Sequence, residues 1–116
     1  MKNIPKLKMG LVAVSRDCFP VELSQRRRDT ILEECEKQDF SVTGVKTIIE
    51  NEKDVLKAFT EIKSKDINAL VISLGNFGPE GPLSMLVQRF NGPVMICAAA
   101  EETKEDMING RGDAYC

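Results

Sequence analysis

The chain has 116 residues, room for one domain and one modest core. Sixteen basic against eighteen acidic residues leave a net charge of −2, so a nucleic-acid partner has no electrostatic basis. No stretch approaches the roughly 20 apolar residues that span a bilayer, so no membrane partner is expected either.

The four cysteines, Cys18, Cys35, Cys97 and Cys116, form no C-x-x-C pair, and histidine is absent. Neither a zinc site nor a disulfide framework is indicated. The N-terminal residues 1–6 are charged, but no small-residue cleavage pattern follows the next apolar run, which points to a cytoplasmic protein.

That run, residues 8–14, is a short apolar stretch with polar flanks and suits a strand buried on both faces. Pro20 stands at or just before the first turn of a helix, where its missing N–H costs little. This helix is expected to reach about Gln38, with Leu23, Ile31, Leu32 and Cys35 as its inner stripe. The one basic cluster, Arg26-Arg27-Arg28, lies inside it among acids and reads as a solvated face.

Residues 40–45 predict a weaker strand near an edge. Asn51 is a candidate N-cap, with Glu52 and Asp54 suited to the first turn of a second helix. Val55, Leu56, Phe59 and Ile62 would form its apolar face. Residues 68–74 make the most convincing central strand, and the Gly- and Pro-rich stretch 75–82 follows as a loop. A third helix is expected from about Leu83 to Phe90, ended by Asn91-Gly92. Residues 93–98 form the fourth strand.

Four strands alternating with three helices argue for right-handed βαβ units on a parallel sheet. The expected class is α/β, a flavodoxin-like (Rossmann-like) three-layer domain of strand order 2-1-3-4 spanning residues 1–116. In that order one sheet face beside strands three and four is left open, although both strands are apolar throughout. The remaining polar stretch 101–116 is not an obvious cover, so the chain is expected to be truncated after the fourth strand, the N-terminal domain of a longer protein.

Ligands of open α/β sheets bind outside the carboxyl ends of the strands, where the strand order reverses. That mouth gathers Ser15, Arg16, Asp17, Cys18, Asn76 and Phe77. A cation, a carboxylate, an amide, a hydroxyl and an aromatic face suit a polyhydroxylated ligand. The bland alternative pairs Arg16 with Asp17 and lets Phe77 simply pack.

Sharper functions fail on essential residues. The loop after the first strand lacks the Ser/Thr and Gly residues of a flavin-phosphate site. Gly75 stands where a receiver domain would need an aspartate, and Ser24 where a phosphatase loop from Cys18 would need an arginine. No Walker A or GxGxxG pattern is present. Cys18 has no histidine to act as its base, and Arg111-Gly112-Asp113 is read as chance.

Residues 8–17 (KMGLVAVSRD), 70–82 (LVISLGNFGPEGP) and 109–116 (NGRGDAYC) resemble the N-terminal domain of L-fucose/L-arabinose isomerase-like proteins. The resemblance implies a three-domain, oligomeric enzyme that interconverts aldoses and ketoses at a manganese ion held by two carboxylates and a histidine in later domains. This domain would then be inactive alone and bind no metal. It would be lent to a neighbouring subunit's active site, and the sugar would be shared between subunits. Arg16 matches the basic or polar position after strand one that contacts the sugar, and Phe77 the aromatic position after strand three. Asp17 and Asn76 complete the expected substrate-binding set, and no catalytic residue is assigned. The loop lacks the tryptophan of some L-fucose isomerases, which leaves the sugar open. A free-standing flavodoxin-like module that binds a small molecule or a protein is the alternative.

Overall fold

A computed structural model describes residues 3–16, 18–76 and 78–98. The elements run β1 (Met9–Val14), α1 (Val21–Lys37), β2 (Thr43–Gly44), α2 (Glu52–Ser64), β3 (Ala69–Leu74), α3 (Glu80–Arg89) and β4 (Val94–Ala98). The four strands form one parallel sheet of order β2-β1-β3-β4, as the alternation predicts. β1 and β3 are in register over six residues, from Met9 opposite Ala69 to Val14 opposite Leu74.

Strand alternation divides the core. Val12, Val14, Leu70 and Ile72 face α2 and α3 and pack with Val55, Ala58, Ile62 and Leu86. Leu11 and Ala13 point the other way, towards α1, and are equally buried. The sheet thus carries helices on both faces, a three-layer arrangement.

Four expectations need correction. The strand expected over residues 40–45 shrinks to Thr43–Gly44. Beyond it the backbone leaves the ladder, keeping Val45 N–H on Leu11 O (2.9 Å) and Ile49 N–H on Ala13 O (3.0 Å).

The buried face of α1 is Leu23, Ser24 and Arg28, whereas Ile31, Leu32 and Cys35 are half-buried. A two-residue β2 offers little sheet to cover, so the second half of the helix overhangs it.

Leu56 on α2 is 52% exposed, and the buried stripe is Val55, Ala58 and Ile62. α3 begins at Glu80, three residues before the expected Leu83. Pro79 stands at its N-cap and Pro82 within its first turn, where a missing N–H is harmless, so the Gly/Pro stretch starts the helix.

The Asn51 cap is present, its Oδ1 accepting from Asp54 N–H at 3.0 Å. Among the described residues β4 is the edge strand on the side away from β2, with Met95 (58%) and Ile96 (49%) exposed. Residues 101–116 and their expected relation to the sheet lie outside the described residues. Among the described residues no helix is long and apolar enough to cross a membrane.

Candidate functional site

β1 pairs with β2 on one side and with β3 on the other, so the strand order reverses at β1. The crevice above its carboxyl end lies between the β1–α1 loop and the turn after β3. Ser15 extends the strand, its N–H on Ile49 O (2.9 Å), and is wholly buried. The chain then turns, with Phe19 N–H on Arg16 O (2.9 Å), and enters α1 from Pro20.

Asn76 organises this turn. It is wholly buried, and its Oδ1 accepts from Arg16 N–H at 2.7 Å. Its Nδ2 donates to Ser15 Oγ (2.8 Å) and to Pro20 O (3.2 Å). One amide thereby clamps both ends of the β1–α1 loop to the end of β3. A buried side chain with both ends occupied holds a backbone in place.

Arg16 is half-buried in that loop, and its Nη2 reaches Gly78 O at 3.4 Å, beside the start of α3. Gly78 lies so close to β1 that a Cβ there would come within 2.6 Å of Val14 Cγ2. Arg16 therefore spans from the first strand to the third helix across the mouth. The N-caps of α1 and α3 are prolines with no side-chain cap, so first-turn N–H groups are left to other partners.

The reading of the basic cluster also needs correction, because Arg27 and Arg28 are not a solvated face. Arg27 Nη1 donates to Gly75 O at 2.6 Å. Arg28 is 8% exposed, donates to Val45 O (3.1 Å) and Lys46 O (2.9 Å), and pairs with Asp29. Ser24 joins them, its Oγ on Val14 O (3.1 Å). The i, i+3, i+4 spacing of Ser24, Arg27 and Arg28 places all three on one helix face, a signal the sequence held. Gly75 is required there, since a Cβ would lie 2.6 Å from Ser24 Cα.

Of the four expected substrate-binding residues, Arg16 and Asn76 are thus brought together. Asp17 and Phe77 lie outside the described residues. Cys18 is exposed beside the mouth. Cys97 on β4 is half-buried opposite Ser73; burial pushes its thiol up, against the smaller effect of the Ser73 hydrogen bond, so it stays protonated. Among the described residues no group of three or more His, Cys, Asp or Glu side chains could hold a metal ion.

Among the described residues the mouth therefore offers a positioned guanidinium, backbone donors and an exposed thiol, groups suited to binding. The family model described as fucose/sulfoquinovose isomerase, N-terminal domain, matches residues 10–116. No curated protein and no solved structure matches the chain.

Proposed function

Because the chain belongs to the family of fucose/sulfoquinovose isomerase N-terminal domains, we propose that it is the substrate-access and oligomerisation domain of a cytoplasmic aldose–ketose isomerase, with Arg16 as its sugar contact. The observation that carries this reading is the clamp of Asn76 on the backbone of Arg16 at the strand-order reversal. A residue whose backbone is fixed in this way brings its guanidinium to sugar oxygens at a lower entropic cost. Asp17 and Phe77 flank the same mouth in sequence and complete the contact set as an acceptor and an apolar face. Asn76 serves the site through Arg16, since its own amide is spent on the loop.

The manganese ion implied for the whole enzyme does not fit the residues of this chain. Histidine is absent from the sequence, and the described acids and thiols form no ligand group. Catalysis belongs to further domains of a longer polypeptide, to which this domain contributes binding from a neighbouring subunit.

The test is turnover of an aldose panel that includes fucose and sulfoquinovose. The longer gene product is assayed with and without manganese, beside the 116-residue chain. Activity confined to the long form, with KM raised about tenfold or more by Arg16→Ala, is the expected result. Turnover indifferent to Arg16→Ala removes the sugar contact. A long form without activity, together with a ligand that binds the chain itself, would instead favour a free-standing binding module.

A further inference from the structure

Two features far from the mouth complement each other. The first is the segment before β1. Residues 3–8 have no regular structure and are exposed, with Ile4 at 88% and Leu7 at 59%. The first eight residues contain three lysines, Lys2, Lys6 and Lys8, and no acid. Pro5 fixes its own φ and biases Ile4 towards an extended conformation, so the arm is stiff before it meets anything. Its root is anchored, with Asn68 Nδ2 on Lys6 O (2.7 Å) and Lys8 N–H on Asn68 Oδ1 (2.8 Å).

The second feature is a groove of about 630 Å³ between the end of α1 and β2. Its floor is Leu32, Val42 and Phe40, the last 49% exposed. Its rim is Asp29, Glu33, Glu36 and Asp39, and among the described residues no lysine or arginine lines it. Asp29 is partly offset by Arg28 (3.1 Å). An apolar floor inside an acidic rim asks for a segment with apolar anchors between cations, and the arm has that composition.

We propose that two copies of this chain associate by exchanging arms, residues 3–7 of each lying in the groove of the other. Ile4 and Leu7 occupy the floor against Phe40 and Leu32, and Lys6 meets the carboxylate rim. Reciprocal exchange closes a two-fold dimer and leaves no unpaired arm or groove to propagate a chain. The dimer is salt-sensitive, because the rim pairs are exposed. This pairing is independent of any sugar bound at the mouth.

Sedimentation equilibrium of the 116-residue chain at low and high salt tests it. A dimer is expected, weakened about tenfold or more by Ile4→Glu in the arm or by Phe40→Glu in the groove. Both positions are exposed, so the unfolding transition of the dilute monomer should be unchanged by either substitution. An equimolar mixture of the two variants should associate where neither does alone, through the one intact arm and the one intact groove. A chain that stays monomeric at every concentration overturns the proposal. So does a dimer indifferent to both substitutions, or a mixture that fails to associate.

Discussion

At the scale of single residues the polar interior is the informative part of this molecule. Asn76 has no solvent exposure and serves Ser15, Arg16 and Pro20 with one amide. Asn76→Ala would strand the buried hydroxyl of Ser15 and leave the part-buried N–H of Arg16 and carbonyl of Pro20 without their partner. An expected loss of about 2–3 kcal/mol follows, read from the shift of a denaturation midpoint. Asn76→Asp should also destabilise, because the carboxylate cannot donate to Pro20 O.

Glu61 on α2 is a comparable device. Burial alone would push its carboxyl up. Hydrogen bonds from Thr47 Oγ1, Lys46 N–H and Thr47 N–H, with Lys65 at 3.8 Å, outweigh that and hold it below the ordinary carboxylate range. A carboxylate with a depressed folded pKa contributes stability that is present above its unfolded value and lost as pH falls through the folded one. Glu61→Gln should therefore cost about 1–2 kcal/mol at neutral pH. Thermal melts of the two proteins should converge as pH falls below the ordinary carboxylate range and the wild-type carboxylate in turn becomes neutral. A gap that stays constant down to acid pH would show that the charge contributes nothing.

Legibility in the sequence changes at the scale of elements, and for physical reasons. β1 and β3 could be read because a strand buried in a parallel sheet is a run of apolar residues, whatever surrounds it, and β4 carries the same apolar run although Met95 and Ile96 are exposed. The Asn51 cap could be read because capping is local chemistry. The fate of Arg28 could not, since the carbonyls that receive it belong to Val45 and Lys46, on a segment that only folding brings near. The same holds for Asn76, whose type suits a ligand site and a buried clamp equally well until Ser15 and Pro20 are placed beside it.

The helix ends were hidden too. α1 and α2 both stop without glycine, on Asp39 and Asp66, each at φ 57°. In both, the following N–H returns to the last turn, Phe40 to Cys35 O (2.8 Å) and Ile67 to Ile62 O (3.1 Å). Asp tolerates this left-handed conformation at a cost of about 1 kcal/mol relative to glycine. Asp66→Gly removes that cost and loses an exposed ion pair to Lys8 worth about 0.5 kcal/mol at most. A net gain of roughly 0.5 kcal/mol is expected, visible as a rise in Tm of a few degrees. A lower Tm would mean that the Lys8 pair, which anchors the chain before β1, is worth more than an exposed pair should be.

Over the whole molecule the two faces of the sheet are held by different chemistry. The α2 and α3 face is a continuous apolar cluster, whereas α1 is bound largely by Ser24, Arg27 and Arg28 reaching backbone carbonyls. Hydrophobic stabilisation is therefore concentrated on one side of β3. Ile72 sits at its centre with no exposure, opposite Val12 and Ile96 on the neighbouring strands. Truncating it removes three carbons from a site bounded by sheet and helices, which cannot collapse to fill the space. Ile72→Ala should cost about 2–5 kcal/mol. In a domain whose total stability is of order 5–15 kcal/mol, that is a large share. The midpoint of urea unfolding should fall steeply while the slope of the transition stays the same, because the surface exposed on unfolding barely changes. A loss below about 1 kcal/mol would mean that the polar contacts of α1, and not the apolar cluster, carry most of the fold's stability.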